Sequence, residues 1–265
     1  MVASPLRTIL NLMQKLSYRL PSIGRLFSGF MGVAEVHLLD ITEIINKIIP
    51  GFKDRVIRFF GAYWGSRVIP LNKSIDSQTS ISTTDEILEI IKREKNLFVG
   101  YCYCRNKHAK KNNCHYPIWT CIHIGVPSDI RMTGKLPPDT KRSSYKEIEQ
   151  LLHTTDIMGL VHQLVFFPSP DQYYVICNCC PCCCTTLSNL RRIGNPAVVQ
   201  SNFIAAPVDT EKCVNCGNCV KYCYFDARKI EDGKLVYYPE KCFGCGLCVT
   251  HCPTKAVVLK KKGKK

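Results

Sequence analysis

The chain has 265 residues, of which 46% are hydrophobic, and its 36 Lys and Arg against 21 Asp and Glu give a formal charge of +15. That length supports one large or two modest domains with their own cores, and the hydrophobic share is that of a globular protein rather than a disordered one. Nowhere do about 18 apolar residues run without a charge, which argues against a membrane-spanning helix. Cysteine is the outlier: all 18 lie at or beyond Cys102, in three groups over 102–121, 177–184 and 213–252.

Residues 1–82 read as a helical N-terminal region without cysteine. Leu6, Ile9, Leu10, Met13, Leu16 and Leu20 recur at helical spacing. A helix packing on its own domain is the favoured reading, and a helix lying on a membrane surface is the other. Arg7, Asn11, Gln14, Lys15 and Arg19 interrupt any apolar signal-peptide core. A cytoplasmic setting is therefore expected, where thiols serve metals more than disulfides. The polar run NKSIDSQTSISTT, residues 72–84, reads as a linker.

Residues 83–207 read as a cysteine-rich domain of mixed α/β character. Asp85 is placed to cap a helix carrying Ile87, Leu88, Ile90 and Ile91. LFVGYCYC (97–104) predicts a buried strand ending in Cys102 and Cys104. Ser144 and Glu147 have capping-box spacing ahead of Ile148, Leu151 and Leu152. LVHQLVFF and YYVIC flank PSPDQ, which predicts a hairpin, and the hairpin delivers CNCCPCCC, residues 177–184. TTLSNLRRIGNP then predicts a short helix capped by Thr185 or Thr186 and ended at Gly194. Amide groups at such a helix start stabilise thiolates.

Ten cysteines here are candidate metal ligands: Cys102, Cys104, Cys114, Cys121, Cys177, Cys179, Cys180, Cys182, Cys183 and Cys184. They cannot all face one ion. In an extended chain Cys179 and Cys180 point to opposite sides, as do Cys182 and Cys183, and Pro181 breaks the run. About three of the six clustered thiols can face one centre, leaving the others for a second centre, for buried thiols or for chemistry. A further iron–sulfur cluster, a zinc site and a dithiol redox site all stay open, the first being favoured. His108, His115, His123 and His162 are each better explained as structural residues than as ligands.

Residues 208–259 contain a repeat: KCVNCGNCVKYCYFDARKI and KCFGCGLCVTHCPTKAVVL align at an offset of 29 residues. Each carries C-x2-C-x2-C-x3-C, in which three cysteines wrap one cluster and the fourth reaches the other. The expected cofactor ligands are Cys213, Cys216, Cys219 and Cys252 for one [4Fe–4S] cluster, and Cys242, Cys245, Cys248 and Cys223 for a second. Gly217, Gly244 and Gly246 suit the tight loops between them. Zinc sites favour two close pairs separated by a longer spacer. The doubled pattern resembles bacterial-type ferredoxins with two [4Fe–4S] clusters. That resemblance implies a small α+β domain with pseudo-twofold symmetry and two clusters close enough for electron hopping. Pro253 follows Cys252 as in that family, whereas Tyr224 follows Cys223. KKKGKK, residues 260–265, reads as a basic tail.

The order of Cys102-Tyr103-Cys104-Arg105, Cys114, Cys121, Gly159-Leu160-Val161-His162 and Cys177–Cys184 ahead of the two-cluster module is similar to a group of prokaryotic proteins. The resemblance implies iron–sulfur binding and electron transfer, and names no substrate. The whole chain is thus expected to be α+β, with a helical N-terminal region, a mixed cysteine-rich domain and a ferredoxin-like domain. The favoured function is an iron–sulfur electron carrier, or the electron-delivery subunit of a redox complex. The alternatives are an oxidoreductase acting at a centre in the CNCCPCCC domain, and a binding protein that uses metals as staples. Two clusters with their thiolates would bring the +15 charge to roughly +11. A redox partner with an acidic docking surface suits that charge, and peripheral contact with an anionic membrane stays open. Nucleic acid is disfavoured because no nucleic-acid motif accompanies the charge, and no dinucleotide fingerprint points to NAD or a flavin.

Overall fold

A computed structural model describes residues 3–60, 63–71, 86–124, 140–168, 173–187, 198–199 and 201–262. The linker at 72–84, the Asp85 cap, most of the PSPDQ loop and the helix expected to end at Gly194 fall wholly or largely outside these residues.

Three helices open the chain: α1 (Ala3–Arg19), α2 (Pro21–Ile48) and α3 (Phe52–Phe60). Pro21 begins α2, a position where its missing N–H is no loss. The expected apolar stripe of α1 divides in two. Leu10 and Met13 turn inward toward Phe27 and Ala34 of α2, while Leu6, Ile9 and Leu20 stay exposed. No described helix is long and apolar enough to cross a membrane.

A seven-stranded sheet follows, comprising β1 (Gly65–Val68), β2 (Leu97–Tyr101), β3 (Trp119–Ile124), β4 (Thr140–Arg142), β5 (Val161–Phe166), β6 (Tyr173–Cys179) and β7 (Val198–Val199). Its order is β4-β2-β3-β6-β5-β1-β7. Every pairing is antiparallel except the parallel one between β1 and β7. β1 lies in the stretch read as helical. Its four residues are too few to show a period of two, yet β5 is buried along its whole length. A buried strand needs partners along both edges for its backbone N–H and C=O groups, and β1 supplies the second.

Alternate strand residues face two cores. On one face Leu97, Ile122, Leu164 and Ile176 pack with Ile87, Leu88 and Ile91 of α4 (Glu86–Arg93) and with Ile148 and Leu152 of α6 (Tyr145–Ile157). Each such aliphatic side chain contributes about 1.5–3 kcal/mol on burial. α6 opens with the expected capping box: Ser144 Oγ accepts the Glu147 N–H, and the Ser144 N–H donates to the Glu147 carboxylate at 2.8 Å. On the other face Cys121, Val165 and Val175 pack with Leu10 and Tyr63 from the N-terminal helices and the segment after them.

β2 ends sooner than its sequence predicts. The Cys102 N–H donates to Ile118 at 2.7 Å, and the Asn106 N–H then returns to the Cys102 carbonyl at 2.9 Å. Cys102 is thus the N-cap of α5 (Tyr103–His108), and Cys104 stands on a helix rather than a strand.

The C-terminal part has two small antiparallel ladders: β8 (Phe203–Ala205) with β11 (Leu259–Lys261), and β9 (Arg228–Glu231) with β10 (Lys234–Tyr237). Lys260 and Lys261, expected in a basic tail, belong to β11. Short helices α7 (Asn218–Lys221) and α8 (Leu247–Thr250) stand at equivalent places in the two halves. The backbone repeats with them: φ is positive at Asn215 and Gly244 (51° and 66°), at Gly217 and Gly246 (75° and 84°), and at Asp226 and Lys255 (57° and 55°).

Candidate metal centres

The eight cysteines of the repeat fall into two quartets. Cys219 faces Cys213, Cys216 and Cys252, while Cys245 and Cys248 face Cys242 and Cys223. The last cysteine of each motif therefore stands with the first three of the other. The chain bends there because each last cysteine closes a short helix, its N–H bonded to Val220 in one half (3.0 Å) and Val249 in the other (3.1 Å). Cys223, Cys242, Cys245 and Cys248 line one cavity with Phe225, Phe243 and Tyr237. Backbone N–H groups point at sulfur, from Ala205 to Cys242 (3.5 Å) and from Ala256 to Cys252 (3.2 Å).

Burial pushes the Cys219, Cys223 and Cys245 thiols above the ordinary range and Cys248 up to about 12. Arg228 opposes the rise at Cys219 and Cys248, one thiol in each quartet. Its side chain is 2% exposed. Nη2 donates to the Ala206 carbonyl, while Nε and Nη1 have no protein partner. A buried, permanently charged guanidinium with unused donors between two thiol sets suits anionic clusters. A side chain at Gly244 would press into the Phe203 carbonyl oxygen, so only glycine lets β8 pass this close. The residues present thus fit two [4Fe–4S] clusters.

The other ten cysteines separate into four and six. Cys114, Cys180, Cys182 and Cys183 hold their sulfurs all within 4.8 Å of one another, with Cys114 and Cys180 at 3.9 Å. A tetrahedral ion with metal–sulfur bonds of about 2.3 Å sets its ligands about 3.8 Å apart, so this set has the dimensions of a single-ion site. Cys114 is positioned by the turn after α5, where its N–H bonds Ala109 at 2.9 Å and Asn113 takes φ 47°. The opposite wall is a turn closed by the Cys184 N–H on the Cys180 carbonyl at 3.3 Å. Asn112 Nδ2 clamps that turn through the Cys182 carbonyl at 2.7 Å. Strict alternation would have put Cys182 and Cys183 on opposite sides; the turn brings both to the same side. Burial and then Cys114 push the Cys183 thiol up to about 12. At Cys114 burial also acts upward, but the Tyr116 N–H and the three neighbouring thiols outweigh it.

The remaining six run in a closed circuit, Cys102–Cys104–Cys184–Cys179–Cys177–Cys121, each thiol interacting with the two beside it. The sheet builds this circuit. Ile122 is opposite Ile176 in the antiparallel β3–β6 pair, which sets Cys121 beside Cys177, and Cys177 and Cys179 share one face of β6. The first turn of α5 adds Cys102 and Cys104, and the 180–184 turn returns Cys184. Cys102 is drawn far down by Cys104 and then Cys121, and Cys179 is lowered by Cys177 and then Cys184.

Arg105, fully buried, places its charge near thiols of both sets. Nη2 donates to the Asn178 carbonyl at 2.8 Å and to Thr120 Oγ1, while Nε and Nη1 have no protein partner. The charge acts with Cys102, Cys180, Cys121 and Cys179.

A polar chain joins this region to the repeat. Asn178 Nδ2 donates to the Thr120 carbonyl at 2.6 Å, and Asn178 Oδ1 accepts from His162 Nδ1 at 2.6 Å. His162 Nε2 lies 3.5 Å from Asp156 Oδ1 without hydrogen-bond geometry. Asp156 Oδ2 accepts from Thr250 at 2.8 Å, and the Asp156 carbonyl lies 3.3 Å from His251 Nε2. His251 stacks on Tyr222 at 3.5 Å and 5°. Tyr224, at the position where the ferredoxin pattern has proline, lies beside Tyr116, next to the Cys114 quartet. Arg228, Asp156 and Thr250 carry no motif in the sequence, while His162 gave only the signal of the GLVH segment. His162 is fully buried and holds Asn178 through Nδ1. Among the described residues, the Cys114 quartet is the one group of three or more thiols, imidazoles or carboxylates gathered within 4.8 Å, and no histidine joins it.

No curated protein and no solved structure matches this chain. Residues 206–259 match the 4Fe-4S dicluster domain family. The protein is therefore a mixed α/β chain carrying a ferredoxin-type 4Fe–4S module at its C-terminus, joined to a cysteine-rich region suited to metal.

Proposed function

We propose that this is an iron–sulfur electron-transfer protein, the electron-delivery component of a redox complex. Cys213, Cys216, Cys219 and Cys252 would hold one [4Fe–4S] cluster, and Cys223, Cys242, Cys245 and Cys248 the other, in a pseudo-twofold domain spanning 208–259. Bound there, the clusters supply one-electron chemistry. The observation that carries this reading is the crossing of Cys223 and Cys252 into each other's quartet, with Arg228 buried between the two.

The protein's own residues do the rest. Phe225 and Phe243, stacked at 4.6 Å, keep water from the second quartet, and amide groups of Ala205 and Ala256 stabilise thiolate sulfur. Cys223 leads through Tyr224 and Tyr116 toward Cys114, giving electrons a route into the cysteine-rich domain. The Cys114, Cys180, Cys182 and Cys183 quartet takes a single thiophilic ion. A basic surface suits an acidic redox partner in a reducing compartment.

Voltammetry of the anaerobically purified chain tests the reading. Two reversible one-electron processes are expected, with one lost in Cys223→Ser. Reduction by an acidic carrier protein should slow as salt rises. A chain that takes up no electrons would overturn the proposal.

A further inference from the structure

The six-thiol circuit answers to no function described so far. It is not the Cys114 quartet, with which it shares no cysteine. Six thiols exceed what one soft ion uses, since thiolate sites for zinc and iron are four-coordinate.

Spacing narrows the occupant further. A single ion, or two ions sharing bridging thiolates, needs each ion's four sulfurs at about 3.8 Å from one another. The Cys114 quartet has that compactness. In the circuit neighbours interact, yet no three of its sulfurs gather within 4.8 Å of one another. Neither quartet of the ferredoxin repeat gathers so closely either. The circuit is therefore too open for a single tetrahedral ion.

Charge points the same way. Arg105 is 0% exposed, and two of its nitrogens have no protein partner. A buried guanidinium stays charged and needs an anion, yet among the described residues no carboxylate pairs with it. Its electrostatic neighbours are Cys102, Cys121 and Cys179 of the circuit, together with Cys180. Arg228 has the same posture in the repeat: one Nη2 bond to a backbone carbonyl, two unused nitrogens, and thiols of two sets around it. Three disulfides around the circuit would leave Arg105 with only the Cys180 set for an anion. One wall of the site is apolar, because Cys102 and Cys121 pack with Leu10 and Tyr63.

We infer that Cys102, Cys104, Cys121, Cys177, Cys179 and Cys184 together hold one polynuclear iron–sulfur cluster, its irons bridged by inorganic sulfide, separate from the single-ion quartet beside it. This rests on the iron–sulfur reading of the chain and gives the cysteine-rich domain a redox centre of its own.

The test is iron and acid-labile sulfide per chain, measured on the full-length protein purified without oxygen. Two clusters in the repeat account for about eight irons. The wild type should hold at least two more, with matching sulfide. A Cys102→Ser/Cys179→Ser variant, altered on opposite sides of the circuit, should lose that excess and keep the reduced EPR signal of the repeat. Cys104→Ala is a second variant, against misfolding of the first. About eight irons in the wild type, an unchanged excess in the variants, or a loss of zinc instead of iron would each overturn the inference. Failure of the ferredoxin reading has a separate signature: the repeat's EPR signal is then missing in wild type and variant alike, while the iron difference between them still reports on the circuit.

Discussion

The Thr250 hydroxyl donates to the Asp156 carboxylate over 2.8 Å, fastening the end of α6 to α8 two residues before Cys252. Around this bond His251 meets the Asp156 carbonyl and stacks on Tyr222, its counterpart 29 residues earlier in the repeat. The ferredoxin-type module is therefore docked on α6 through residues adjoining its own cysteines. Thr250→Val keeps the shape and removes the donor. Because Asp156 is 2% exposed, an unpaired buried oxygen should cost about 1–3 kcal/mol. Thermal unfolding should show that loss, with iron content unchanged.

Gly159 tests the same interface sterically. It adopts φ +82°, and an added Cβ would lie 2.7 Å from the Tyr222 ring. Gly159→Ala should therefore part the two regions, through a left-handed backbone cost of about 1–2 kcal/mol plus the clash. Protease sensitivity between residues 201 and 206 should rise. Gly244→Ala should act inside the repeat instead, by pushing β8 from the Cys242 loop, and should lower iron retention.

The single-ion quartet predicts a chelation pattern. Cys182 is its exposed member, so a thiophilic chelator should remove one ion per chain from this side. Cys182 should then react with iodoacetamide, having been protected before, while the reduced EPR signal persists. Mass spectrometry of the labelled peptide covering 177–184 checks this.

The α6 cap predicts a pH dependence. The Glu147 carboxyl is held down to about 2 by the Ser144 N–H, then the Ser144 hydroxyl and Lys141. A depressed carboxyl stabilises the fold above its unfolded value of about 4.3, and that contribution is lost as pH falls through about 2. Amide protection in the first turn of α6 should hold from pH 7 to about 4 and decline below. In Glu147→Gln the decline should disappear.

Much of the site was legible because its signals are local. The C-x2-C-x2-C-x3-C repeat carries its own loop geometry, and Ser144 with Glu147 announced the start of α6. The parity of an extended strand separated Cys179 from Cys180. It failed for Cys182 and Cys183 because Pro181 opens a turn, which returns both to one side. Which distant cysteine meets which part of the run was not legible. That depends on the β3–β6 register, which sets Cys121 beside Cys177, and on the early end of β2, which lifts Cys104 onto a helix. Tyr224 looked like a lost proline; its partner Tyr116 lies more than a hundred residues earlier, beyond any local pattern. Arg105 stood out in the Cys102-Tyr103-Cys104-Arg105 segment, whereas Arg228 read as one of many basic residues, since nothing local marks a guanidinium for burial.

The most direct test of the central claim is EPR of the full-length chain, purified without oxygen and reduced with dithionite. The crossed quartets predict at least two spins per chain, with line splitting from two [4Fe–4S] clusters held close by Cys223 and Cys252. A diamagnetic reduced protein, with zinc in place of iron at these eight cysteines, would contradict the account.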